Sequence, residues 1–376
     1  KSLNEQINEF EQFKQSPVID ITKSDMTVMG EKGLAVYGKF IEGGKEFLVK
    51  TVETPMPWAN VLVNENFGTV ITNNFGGFTY AYNSREFKLT TWSNDFVADV
   101  SSEIIYFNGE RLIPSEVKHG IGYLVFITKS KAVTIETTVF VPTEDNVKIY
   151  DVKVIDNKIK KGNFECNIKP VLGVSEEQTA KYILSEFDEV NNCILLKNVY
   201  SKEFKQEKVF MGSSAKIVNY ELDKIKSKSI AVNLDLNNEK RICFVLGCSN
   251  DGEVIKRYQD FHNVDLALAN VKKYWAQKLN VLQVQTPDNN FNYLVNNWLL
   301  YQVYSSRLYG RAAFYQVGGA IGFRDQLQDV LCLLYSDPSY AKTQILKHAN
   351  HQFAEGDVLH WWHEQAMFGI RTKFSD

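Results

Sequence analysis

The hydrophobic period of this chain changes once, near Gly252, and that change commits it to a β-rich portion followed by a helical one. Between about residues 25 and 250, apolar residues alternate with polar ones or run together over short stretches. Residues 132–141 (AVTIETTVFV) and 147–155 (VKIYDVKVI) read as strands, and 241–247 (RICFVLG) is a continuous apolar run, as in a strand buried on both faces. Asn108-Gly109 and Asp251-Gly252 fit hairpin turns. So long a stretch without a long helix predicts a large two-sheet sandwich.

Beyond Gly252, residues 254–279 read as a helix because Val264, Leu268, Val271, Trp275 and Leu279 recur near helical spacing. Three more helices are expected at 288–307, 323–335 and 338–353, with a glycine-rich link, VGGAIG, at 317–322. Residues 3–14 (LNEQINEFEQFK) form a short amphipathic pattern. The expected organisation is an N-terminal helix and lead-in (1–24), a sandwich (25–252), a helical linker (253–286) and the first helices of a barrel or bundle (287–376). A double ring of six helix pairs needs several hundred residues, so the helical part is expected to be incomplete.

The net charge of −3 offers no basic field for nucleic acid. Cys166, Cys193, Cys243, Cys248 and Cys332 are scattered and odd in number, which argues against a disulfide framework and for a reducing, cytoplasmic setting. No run of apolar residues is long enough to span a membrane, and no signal peptide opens the chain. The chain starts at Lys1 without Met and stops at Asp376 inside a motif-rich region, so both ends are expected to be cut. Aromatic residues make up 13%, enough both to fill a β-rich core and to furnish faces on which pyranose rings pack.

Three clusters could carry chemistry. On the 323–335 helix, Phe323, Leu327, Val330, Leu331 and Leu334 share one face, and Arg324, Asp325, Gln328 and Asp329 the other. The pattern alone fits a solvated face. The position of Arg324 and Asp325 in the first turn, straight after flexible glycines, also fits a site for an anion and for sugar hydroxyls. The second cluster, EGDVLHWWHE (355–364), holds one His-x-x-His spacing, His360 to His363, and His348 and His351 form another just before it. Neither spacing is the zinc signature, and no metal is assigned. The alternatives are a buried aromatic hinge or a sugar surface on which Trp361 or Trp362 stacks and His360 or His363 donates hydrogen bonds. The third, NSREFKLTTWSND (83–95), is either a polar loop or a loop reaching a cleft against the helices. No Walker loop, Rossmann fingerprint or nucleophile elbow is present.

Taken together, WLLYQVYSSRLYGRAAFYQVGGAIGFRDQLQDVLCLLYSDP, QILKHANHQFAEGDVLHWWHE and GIRTKFSD resemble glycoside hydrolase family 94, in the branch acting on β-1,2-glucans. That branch includes 1,2-β-oligoglucan phosphorylases and the phosphorylase-like region of cyclic β-1,2-glucan synthases. TPMPWANVLVNENFGTVIT, GGFTYAYNSREFKLTTWSND and EIIYF carry the resemblance into the β portion. It implies a β-supersandwich, a helical linker and an (α/α)6 barrel. It implies inverting phosphorolysis of a β-glucoside to α-glucose 1-phosphate, with inorganic phosphate as co-substrate and no cofactor. By motif, Arg324 is expected at phosphate or the reacting sugar and Asp325 at glucose hydroxyls, with Arg311, Gln316, Trp362, His363 and Arg371 as further cleft candidates. Arg85, Trp92, Asn94 and Asp95 are candidate sandwich-loop contacts, and a homodimer would let that loop complete a neighbouring site. The family's general acid is an Asp in Trp-Asn-Asp. That string does not occur, and Trp92-Ser93-Asn94-Asp95 is different, so the acid is expected after Asp376. Relatives acting on cellobiose or chitobiose carry an Arg where this chain has Gly318-Gly319-Ala320, which favours the β-1,2 branch.

Overall fold

The computed structural model describes residues 36–373 apart from 96, 223–226 and 366–367. The helix expected at 3–14 lies outside the described residues. The chain divides into a short unit, Lys1–Lys39, and a large one, Phe40–Asp376, which holds the sandwich and the helices. In the short unit, the described residues end in the start of a strand, Gly38–Ile41.

Three antiparallel sheets build the sandwich. The largest places Glu116–Gly120, Tyr123–Lys129, Val133–Phe140, Val147–Asn157 and Arg241–Cys248 side by side. A second centres on Lys161–Ile168 and Lys228–Asp235, and a third on Phe67–Thr72 and Gly77–Ala81. The continuous apolar runs reflect burial on both faces. In Val147–Asn157, Tyr150, Val152 and Val154 point into the sandwich core with Phe126, Phe164 and Phe244. Val147 and Ile149 point the other way, into a second core shared with helical residues Trp275, Tyr301, Tyr304 and Leu333. The second core fixes the helices against the sandwich, and the site lies along that seam.

One polar hub sits inside the sandwich. Lys148 Nζ lies 3.0 Å from Glu103 Oε2 and 3.0 Å from Thr69 Oγ1. Tyr150, Thr79 and Thr90 donate to the same Glu103 carboxylate. Each of the three sheets contributes a member, so every polar group of the buried pair is satisfied from a different layer.

Several sequence expectations change. Asn108 and Gly109 do form a hairpin turn, both at positive φ (50° and 82°). Asp251-Gly252 does not. Asp251 instead caps helix Gly252–Arg257, accepting from Glu253 N at 2.9 Å. The helix expected over 254–279 is two, because Asp260 caps a new start at Phe261–Leu279 by accepting from His262 N. Residues 289–309 are one helical run with π-type stretches. Helix Pro338–Ala349 starts on the Asp337 cap and ends short of Phe353. At 323–334 an α-helix, Phe323–Asp329, tightens to a 3-10 helix, Val330–Leu334. Three residues per turn bring Val330 and Leu333 onto one buried face and leave Leu331 and Leu334 exposed, against the α-periodic reading. Among the described residues, no helix is long and apolar enough to cross a membrane.

Candidate active site

A small sheet organises the site. Strand Trp361–His363 pairs with Ile321–Gly322 on one side and Phe368–Ile370 on the other. Side chains alternate along a strand. Trp361 and His363 therefore face a cavity of about 360 Å³, while Trp362 faces inward, stacked on His351 with ring centroids 4.0 Å apart.

Besides that strand, the cavity is assembled from four further places. The sandwich supplies Arg85. The end of helix 289–309 supplies Ser306, Arg307 and Arg311. The glycine-rich link supplies Gln316, Gly318 and Gly319, and the next helix supplies Asp325 and Gln326. Gly322 is the N-cap of that helix, and its N–H donates to Gln326 Oε1 at 2.6 Å. With no Cβ there, the Asp325 carboxylate folds back over the first turn, where free N–H groups favour negative charge.

Asn83 ties these pieces together. Its Oδ1 accepts from Arg85 N and Glu86 N, both at 3.0 Å, which fixes the amide orientation. Its Nδ2 must then donate, to Gly319 O at 2.9 Å and to His363 Nδ1 at 3.0 Å. The acceptor role of Nδ1 puts the proton of a neutral His363 on Nε2, 3.7 Å from Glu86 Oε1. Burial pushes the His363 pKa down, with Glu86 opposing it in part, so the ring is a neutral N–H donor. Gly319 has φ 61°, and a Cβ there would collide with Asn83 Oδ1. Only glycine satisfies both constraints.

Arg311 is held as tightly. It sits at φ 44°, a strained value for a residue with a side chain. Its Nε donates to Gly319 O and its Nη1 to Leu308 O, each at 3.1 Å. Ser84 Oγ donates to the Arg311 carbonyl at 3.2 Å. Burial lowers the guanidinium pKa, yet arginine stays charged. At the rim, Arg307 pairs with Asp329 at 3.0 Å and Arg85 with Glu86 at 2.9 Å. The lining therefore combines cationic forks, one carboxylate, an imidazole N–H and an indole face. That set can hold an anion beside a hydroxylated ring.

The residues singled out in the sequence divide. Asp325, Arg311, Gln316, His363 and Arg85 line the cavity together. Arg324 is exposed and next to it in sequence but outside the lining. Trp362 is buried behind it. Arg371 is engaged elsewhere, in a two-pronged pair with Asp357 (2.7 and 2.8 Å) and over the Phe353 ring. Trp92 packs edge-on against Phe314 at 5.1 Å. Asn94 has φ 52°, and Asp95 accepts from Val97 and Ala98 N–H groups, which lower its pKa. Asn83 opens the 83–95 stretch without a role of its own in the sequence reading, and Gln326 has none either. Asn83 holds backbone groups and the distant His363 ring, and Gln326 a backbone N–H, pairings that leave no mark in residue spacing.

The glycosyl hydrolase 94 supersandwich domain matches residues 45–224, and the glycosyl hydrolase 94 superfamily catalytic domain matches residues 274–376. The chain belongs to glycoside hydrolase family 94. Its family 94 relatives include the cyclic beta-(1,2)-glucan synthase NdvB of Rhizobium meliloti, 31% identical over 90% of this chain and 14% of that protein. The N,N'-diacetylchitobiose phosphorylase of Vibrio furnissii is 23% identical over 86% of this chain and 48% of that protein. A bacterial glucoamylase solved with acarbose shares the fold, with a TM-score of 0.55 at 13% identity over 86% of this chain and 55% of that one. The family 94 chain thus spans about half the length of the phosphorylase and a smaller share of the synthase.

Proposed function

We propose that this chain forms the phosphate and donor-sugar half of an inverting phosphorylase site acting on β-1,2-linked gluco-oligosaccharides. The cavity carries this reading, because it sets the Arg311 guanidinium and the His363 N–H against Asp325 at a helix N-terminus. In such a reaction a phosphate oxygen attacks the anomeric carbon and the glycosidic bond breaks with inversion. The departing oxygen takes a proton, leaving α-glucose 1-phosphate and a shortened oligosaccharide. Phosphate is already an anionic nucleophile, so no second carboxylate is needed to activate water. The protein's task is to neutralise and orient phosphate and to supply one acid. We assign the acid to sequence beyond Asp376, within a completed (α/α)6 barrel.

Identity to the Rhizobium synthase supports a second reading, in which the same site belongs to a synthase and works beside a membrane glycosyltransferase. A large transmembrane region upstream in the complete protein would decide for it. The direct test mixes the complete protein, β-1,2-linked gluco-oligosaccharides and inorganic phosphate, and measures glucose 1-phosphate. Arg311→Ala and Asp325→Ala should each lower turnover by about 10² or more, as for other transition-state contacts. Near-normal turnover in both would sink the assignment. Glucose 1-phosphate released by the isolated chain would overturn the placement of the acid. Glucan binding without turnover by the complete protein would instead mark a noncatalytic binding module.

A further inference from the structure

A second cavity, of about 370 Å³, opens where the sandwich meets helix Phe261–Leu279. Its floor is Ile121, Tyr123, Trp275 and Leu279. Its rim carries Lys45, Lys272 and Lys273, and the amides of Asn280 and Asn297 also face it. It shares no lining residue with the Arg311 cavity.

Two features point to a ligand. Among the described residues, none of the three lysines is ion-paired with a carboxylate, and Lys272 Nζ hovers 4.3 Å over the Tyr123 ring. Glu46, beside Tyr123, accepts from the Tyr123 hydroxyl at 2.5 Å. Trp275, 2% exposed, lies with Ile121 and Leu279 in the apolar base of the cavity.

We propose that this cavity binds a phosphorylated monosaccharide. Three lysines on one rim suit a phosphate dianion better than a carboxylate monoanion. The aromatic floor suits the C–H face of a pyranose, and the Asn280 and Asn297 amides suit its hydroxyls. The volume lies in the range of small-ligand pockets. Because the walls come from the sandwich, the linker helix and helix 289–309, an occupant braces three elements at once. Its case does not depend on the phosphorylase reading.

Calorimetric titration of the chain tests this, with glucose 6-phosphate, glucose and inorganic phosphate as separate probes. Glucose 6-phosphate should bind saturably at one site, and glucose or phosphate alone at least about tenfold more weakly. Lys272 and Lys273 are exposed, so the Lys272→Glu, Lys273→Glu double variant should fold, as circular dichroism would verify. It should lose affinity by at least about tenfold, while Arg311→Gln should retain it. No saturable binding at millimolar glucose 6-phosphate would overturn the proposal. So would equal affinity for inorganic phosphate, undiminished binding by the lysine variant, or binding lost only in Arg311→Gln.

Discussion

Replacing Asn83 by alanine should destabilise this chain far more than the loss of one small polar side chain suggests. The amide makes four hydrogen bonds from a position that is 1% exposed. The four losses are unequal. Gly319 O keeps the bond from Arg311 Nε, so it is not orphaned, and the net loss there is about 1 kcal/mol. The two turn N–H groups of Arg85 and Glu86 lie near the rim, where water replaces part of what they lose. His363 Nδ1 is buried and left without a donor, at about 1–3 kcal/mol. The whole comes to about 3–4 kcal/mol. Urea unfolding measures it as a lower midpoint at unchanged m-value. Asn83→Asp separates the roles. It keeps both acceptor bonds but faces His363 Nδ1 with a carboxylate, so it should raise the His363 pKa above its unfolded value. Stability gained that way is full below the unfolded pKa and lost as pH rises through the folded one. A cost below about 1 kcal/mol for Asn83→Ala, or a pH-independent Asn83→Asp, would refute the clamp.

Lys148→Met should cost about 3–5 kcal/mol, because it strands the Glu103 carboxylate in the core, whereas adding Glu103→Gln should recover part of that loss. Equal unfolding midpoints for the single and double variants would show that the pair's charge is irrelevant. Burial pushes His119 down to about 4, so the unfolded chain takes up its proton first as pH falls. Stability is full above the unfolded pKa near 6.5 and declines towards pH 4, by about 2 kcal/mol at pH 5. His348 and His363 are lowered too, so the comparison with His119→Phe isolates this part of the slope. A variant with an unaltered pH dependence would contradict it.

The sequence revealed the parts of the fold that periodicity encodes. The run RICFVLG was readable as a doubly buried strand because each alternate residue meets its own core, Ile242 and Phe244 one way, Cys243 and Val245 the other. The Asp251-Gly252 turn was misread because the same dipeptide serves a hairpin or a helix cap, and here the helix over Gly252–Arg257 claims the aspartate. Arg371 looked like a site residue in its motif, but Asp357 lies across the chain reversal and claims its guanidinium. The Asn83–His363 contact joins residues 280 positions apart, and no local pattern records such a pairing.

The alternation at Trp361, Trp362 and His363 also makes the site a matter of parity. Deleting a single residue just before this strand would shift the pairing with Ile321 and Gly322 by one and exchange the two tryptophans between cavity and interior. His363 would then leave Asn83. Length variation in the preceding loop is therefore tolerable in steps of two or where the loop absorbs it before His360, whose carbonyl already anchors Phe323 N at 3.2 Å. In a comparison of related sequences, this stretch should read as a fixed-length frame even where its letters differ.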